Sequence, residues 1–145
     1  MSEVAPIDVV LDTNVLVAAL LKPGGDHSSA LERIFDNPQI FRLAISSQTF
    51  AEYEDVLGRS IISARGCGEE ARALLELVKD AAVELVPKFI PALVYPDAKD
   101  KPFLELVDYC NGVLVTNNLR DFPFAGKFRI LRAGEFLRYC KHLGL

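Results

Sequence analysis

IDVVLDTNVLVAAL, residues 7–20, organises the reading of the whole chain. A short apolar run reaches Asp12 and a second apolar segment follows at once. A mainly apolar strand belongs inside a mainly parallel sheet covered on both sides, and an aspartate at its carboxyl end can meet solvent while the strand stays buried. Asp12 is therefore a candidate functional carboxylate; its simpler use is as a turn or helix cap.

Further along the chain, strands are expected near residues 7–11, 42–45, 83–86, 113–115 and 128–131. Between them, segments 28–36, 48–57, 69–82, 102–110 and 134–142 carry apolar residues at three- and four-residue intervals, the pattern of helices that cover a sheet with one face. This alternation predicts an α/β fold, a compact α/β/α sandwich around a central, mainly parallel, five-stranded sheet. PGGDHSS at 23–29 reads as a mobile connection between helices, and ARGCGEE at 64–70 as a break before a long helix. Neither is long enough for a domain linker, so residues 1–145 are expected to form one domain.

Composition narrows the function classes. The chain is 50% hydrophobic and 25% charged with a net charge of -4, which fits neither a disordered tail nor a generally basic nucleic-acid coat. Contact with nucleic acid must then be local, and Lys99, Lys101 and Arg120, close in sequence to acidic residues, are the candidate phosphate-binding groups. Cys67, Cys110 and Cys140 have neither paired nor metal-ligand spacing, and His27 and His142 form no zinc motif. The absence of a membrane-spanning run or secretory signal leads to the expectation of a cytoplasmic protein.

Three further acidic positions recur where elements begin or end. In RLAISSQTFAEYEDVLGR, residues 42–59, Ser46 and Ser47 are candidate caps and Glu52 falls in the early turns of the helix, able to return over the sheet edge. Glu54 and Asp55 are expected to point to solvent. In YPDAKDKPFLELVDYC, residues 95–110, Pro102 suits a helix start and leaves Asp100 at the positive end of that helix, with Asp97 in support. Here too capping is the simpler reading. GVLVT then leads into NNLRDF, where Thr116 or Asn118 can orient water or a carboxylate and Asp121 can complete an acidic ring. Phe122, Phe124 and Phe128 are expected to pack rather than stack on bases. Asp12, Glu52, Asp100 and Asp121 together suit a divalent ion beside a phosphodiester.

In order and separation, VLDTNVLVAAL, SSQTFAEYEDVLGR, PDAKDKPFLELV and VLVTNNLRDF resemble the corresponding segments of PIN-domain ribonucleases, especially the small single-domain branch that includes toxins of toxin–antitoxin systems. The resemblance spans essentially the whole chain. It implies that Asp12, Glu52, Asp100 and Asp121 are the catalytic, metal-binding residues, with Asn14, Ser47, Thr116 and Asn118 in support, and it implies homodimerisation and a neutralising antitoxin. One departure stands out: where the denser TxDxD pattern has its first acidic position, TNNLRD has Asn118, one anionic ligand fewer.

The expected activity is hydrolysis of single-stranded or loop RNA with one or two Mg²⁺ or Mn²⁺ ions. Two other readings use the same residues: a phosphohydrolase acting on a small phosphorylated molecule, and an RNA-binding protein without turnover.

Overall fold

The computed structural model describes residues 4–88, 98–118 and 129–145. Five strands, β1 (Ile7–Leu11), β2 (Phe41–Ile45), β3 (Val83–Glu84), β4 (Val113–Val115) and β5 (Arg129–Leu131), form one sheet in the order β3-β2-β1-β4-β5. Every pairing is parallel. The sequence-derived strands coincide with these to within two residues at their ends.

Among the described residues there are seven helices: α1 (Thr13–Leu21), α2 (Asp26–Asp36), α3 (Ser47–Leu57), α4 (Ser60–Ala64), α5 (Gly68–Ala81), α6 (Lys101–Cys110) and α7 (Ala133–His142). α2 packs on α1 and α7, while α3 packs on α5 and α6, so helices enclose the sheet in an α/β/α sandwich. Two of these helices lie outside the periodic segments. α1 is apolar nearly all round, so it shows no 3.6-residue alternation, and α4 is too short to show any. Asp26–Ser29, expected in a mobile connection, instead form the first turn of α2, which starts at Gly25 with Ser29 N–H bonded to the Gly25 carbonyl.

The buried runs of β1 and β4 form the centre of the core, with Val9, Val10, Leu11, Leu114 and Val115 shielded completely. Phe41 and Phe136 meet at 5.1 Å between ring centroids, and Tyr53 lies 6.0 Å from Phe103. Asp8 and Arg42 face each other in register across β1 and β2 and join in an ion pair at 2.6 Å. α6 ends at Asn111 in the left-handed conformation, which turns the chain through Gly112 into β4.

Because all strands run the same way, their carboxyl ends lie along one edge of the sheet. Chain order proceeds from β1 outward through β2 to β3, then crosses to β4 and β5 on the other side. The crossing point between β1 and β4 is the place where a parallel sheet opens a crevice, and Asp12 and Thr116 are the residues that follow those two strands.

Candidate functional site

Asp12 is 8% exposed and sits at the junction of β1 and α1. Its backbone N–H extends the ladder by donating to the Val115 carbonyl at 2.9 Å, which holds the residue at the β1/β4 crevice. The side chain makes no well-formed capping bond to α1, although the N–H groups of Thr13 and Asn14 at the start of that helix lie close enough to favour its charge. Its Oδ2 instead accepts a 2.7 Å hydrogen bond from the hydroxyl of fully buried Thr116. The same Thr116 oxygen accepts the Asn118 N–H at 3.1 Å, tying the turn after β4 to the carboxylate.

Burial pushes the Asp12 carboxyl above its ordinary pKa, and the negative charge of Glu52 adds to that push. The Thr116 hydroxyl and the N–H groups of Thr13 and Asn14 act in the opposite direction. Asp12 therefore carries its charge at a cost beside Glu52. A cation between them would relieve it.

Glu52 reaches this edge because α3 is anchored at its start. Ser46 caps it reciprocally: its hydroxyl oxygen accepts the Thr49 N–H at 3.1 Å, and the Thr49 hydroxyl accepts the Ser46 N–H at 2.9 Å. Half-buried Glu52 then accepts a 2.5 Å hydrogen bond from the Thr13 hydroxyl, the residue next to Asp12. Beneath both lies Tyr53, fully buried, whose phenol donates to the Leu11 carbonyl at 2.5 Å. Its burial and the charges of Asp12 and Glu52 raise its pKa, so the phenol remains a donor.

Asp100 occupies the position immediately before α6 and makes no capping bond with its side chain. α6 runs antiparallel to the strands, since its far end turns through Gly112 directly into the start of β4, so Asp100 lies towards the same carboxyl edge. Its Oδ2 is buried. Lys101 is half-buried and Lys99 exposed beside it.

Of the other sequence candidates, Asn14 is exposed on the first turn of α1, and exposed Ser47 opens α3 while Ser46 serves as the cap. Asp97, Arg120 and Asp121 lie outside the described residues, as do Phe122, Phe124 and Phe128. Among the described residues no three acidic, cysteine or histidine side chains converge to hold a metal ion. Glu54 and Asp55 are exposed, as expected.

Sequence reasoning missed several neighbours of the site. Thr13 stands next to Asp12, yet nothing local marks it as the partner of Glu52. Glu105 is only 8% exposed although it is charged. His27, which belongs to no zinc motif, touches the side chain of Asn117. Both border a groove of about 550 Å³ beyond β4 and β5, which Arg132 and Arg138 also line.

Removing the Thr116 hydroxyl tests this arrangement. Thr116→Val should leave the fold intact and, under the activity proposed below, lower turnover by about 10- to 100-fold, as expected when a group that orients a metal ligand is lost. Steady-state rates across a metal titration, compared with circular dichroism, check this; unchanged rates in the folded variant would remove Thr116 from the site.

The PIN-domain family model matches residues 8–120. No curated protein matches the chain in a sequence search. Among solved structures, VapBC2 from Rickettsia felis bound to a promoter DNA fragment matches with TM-score 0.60 and 20% identity, covering 87% of this chain and 98% of that one. VapBC-1 from nontypeable Haemophilus influenzae matches with TM-score 0.61 and 18% identity, covering 88% and 99%. DNA-bound VapBC from Salmonella typhimurium matches with TM-score 0.59 and 23% identity, covering 88% and 98%. At these identities the structural matches speak for the fold, and the family model speaks for descent. The match over residues 8–120, together with the parallel sheet that sets Asp12 at its central crevice, makes this chain a member of the PIN-domain family of nucleases.

Proposed function

We propose that this protein is a Mg²⁺- or Mn²⁺-dependent endoribonuclease that cuts single-stranded or loop RNA, acting in the cytoplasm as a single-domain toxin over residues 1–145. In this reading it forms a homodimer and is held inactive by an antitoxin. The observation that carries the reading is the pair Asp12 and Glu52: two carboxylates at the β1/β4 crevice, each positioned by a threonine hydroxyl, with Asp12 penalised for its charge. The structural neighbours are toxin–antitoxin assemblies, which supports the toxin role and the protein partner. Among the described residues no helix is long and apolar enough to cross a membrane.

The donor set fits a hard divalent ion. Mg²⁺ is commonly held by one or two carboxylates, with water and substrate phosphate filling its remaining positions, so the described pair is a sufficient foothold. Such an ion would supply neutralisation of phosphate charge and acidification of a bound water. Asp12 and Glu52 would hold it, with Asp121 as a further ligand and Asp100 from α6, which does not converge with the pair, acting through water or substrate.

The chain's own contribution is positioning. Thr116 and Thr13 donate to Asp12 and Glu52, which keeps both side chains fixed and acceptor-only when ionised. The Tyr53 phenol anchors the Leu11 carbonyl one residue before Asp12, so the carboxylate rests on a braced strand end. Lys99 and Lys101 bring positive charge to the acidic edge for substrate phosphates, with Arg120 in the same role; Asn14, Ser47, Asp97 and Asn118 support the ligands.

The test is cleavage of a panel of single-stranded and structured RNAs with Mn²⁺, by wild type and Asp100→Asn, with product ends mapped. Wild type should cut, and the variant should lose at least about 100-fold in rate while still capturing RNA, the scale of a lost electrostatic contribution to a transition state. Equal cleavage at saturating metal would remove Asp100 from the site. RNA capture without turnover by metal-loaded wild type would favour the non-catalytic reading, and turnover of small phosphate esters alone would favour a phosphohydrolase.

A further inference from the structure

Beside the acidic edge, a cleft of about 610 Å³ opens between the start of α3, the segment after β3 and the first turns of α6. Its volume is in the range of sites that enclose a small organic ligand. Leu85, Val86, Pro87 and Pro102 form apolar wall, while Ser47 and Gln48 provide polar groups. Glu105, Lys101 and the exposed Glu84 line the same space.

Glu105 makes this cleft unusual. It is 8% exposed, and among the described residues it has no hydrogen-bond or ion-pair partner. Its carboxylate oxygens open to the cleft, where they can accept hydrogen bonds from whatever enters it. Lys101 stands one helical turn earlier on the same helix face, since residues four apart are neighbours there. The wall thus offers a donor next to a two-oxygen acceptor, flanked by flat apolar surface.

That order matches one nucleobase edge. Guanine presents, side by side, a carbonyl oxygen, a ring N–H and an exocyclic amine. The carbonyl suits Lys101, and the two donors suit the fork of a carboxylate. Adenine, cytosine and uracil each lack the paired donors. A divalent ion is less suited, since among the described residues no three carboxylate, cysteine or histidine side chains come together there. Unpaired bases in single-stranded RNA expose this edge and stack against such surfaces.

We propose that this cleft is a base-recognition site that takes a guanine of single-stranded RNA, read by Glu105 and Lys101, next to the phosphate presented to Asp12 and Glu52. The proposal rests on the RNA reading above and adds a sequence preference to it. Glu105 acts here as a specificity-determining residue and takes no part in bond cleavage.

The test has two arms. In the first, the intact protein in metal-free buffer is titrated with GMP, IMP, AMP, CMP and UMP by calorimetry. GMP should bind about tenfold more tightly than AMP, as expected for a paired contact to a base edge, with IMP, which lacks the exocyclic amine, between them. Glu105→Gln, with its fold verified, should bring GMP and AMP to within about threefold, because an amide offers one acceptor and one misplaced donor. Lys101→Met should weaken GMP and IMP more than it weakens AMP, which loses at most a phosphate contact. Should Glu105→Gln fail to fold, the IMP comparison and Lys101→Met still decide the matter. Equal affinities for all five nucleotides, or an unchanged GMP preference in the Gln variant, overturn the proposal. So does a Mn²⁺ site that disappears with Glu105→Gln when no nucleotide preference exists.

In the second arm, RNA product ends are mapped for wild type and Glu105→Gln. Enrichment of guanine beside the cut, lost in the variant, is expected. A guanine preference in binding with no bias at the cut would assign the cleft to free nucleotide and overturn the substrate role. Absence of any RNA cleavage, with GMP selectivity intact, would instead count against the nuclease reading itself.

Discussion

Asp12→Asn is expected to raise the melting temperature of the metal-free protein at neutral pH while cutting metal-supported RNA cleavage by about 10³-fold. The gain in stability follows from the direction of the Asp12 shift. Burial, helped by Glu52, lifts its folded-state pKa above 3.8, so the folded chain holds that proton more tightly than the unfolded chain. The associated stability is complete below about pH 3.8, the reference for an unfolded aspartate, and is lost as pH rises through the folded value. At pH 7 the native protein carries a charge in a place that penalises it. Asparagine removes the charge yet keeps an oxygen for the Thr116 hydroxyl, so the hydrogen bond that ties β1 to β4 survives.

The loss of activity comes from the same substitution, because a neutral amide is a poor ligand for a hard cation. Melting curves in EDTA across pH 4 to 8, beside curves with Mn²⁺, separate the two effects. The variant's advantage should grow with pH in EDTA and shrink or reverse when the metal stabilises wild type. Identical melting temperatures for the two proteins at every pH, with identical metal responses, would remove Asp12 from the proposed centre.

Gly112→Ala should have the largest effect on stability, about 2–3 kcal/mol, the scale of forcing extra volume into a packed interior. A methyl group there would lie 2.4 Å from the Asp8 carbonyl oxygen and 3.0 Å from Cys110 Sγ. The sulfur can move, but the carbonyl belongs to β1. Displacing it would disturb the Asp8–Arg42 pair and the packing of α6 on the strand. A fall in melting temperature of roughly 5–10 °C is the corresponding thermal readout. Gly66 provides the contrast: a side chain there would meet nothing within 4 Å, and only its φ of 77° is unfavourable. Gly66→Ala should therefore cost about 1–2 kcal/mol, the penalty of a left-handed residue. Equal losses at the two positions would mean that the approach of Gly112 to β1 is not the constraint described.

The strands and most of the helices were legible in the sequence because each writes a local pattern. Short, mainly apolar runs marked the strands, and three- and four-residue spacing marked helices with one covered side. Where that pattern was missing the reading failed for a physical reason. α1 is apolar nearly all round, and the first turn of α2 is made of Asp26, His27, Ser28 and Ser29, residues that serve loops equally well. Asp12 and Glu52 could be nominated from their places at element ends, and a proline near the helix start pointed to Asp100.

What no local pattern carried was pairing across the fold. Thr13 donates to Glu52 from 39 positions away, and Thr116 donates to Asp12 from 104 positions away. Glu105 followed the same rule in reverse: within FLELV it reads as a polar break in an apolar stretch, and only the closure of α3, β3 and α6 around it makes it a largely buried residue that lines a cleft. Element type and a set of candidate carboxylates were thus written along the chain, because backbone conformation and burial leave short-range periodicities. The choice of which hydroxyl steadies which carboxylate belonged to the strand order β3-β2-β1-β4-β5, because crossing from β3 to β4 brings the carboxyl ends of β1 and β4 together.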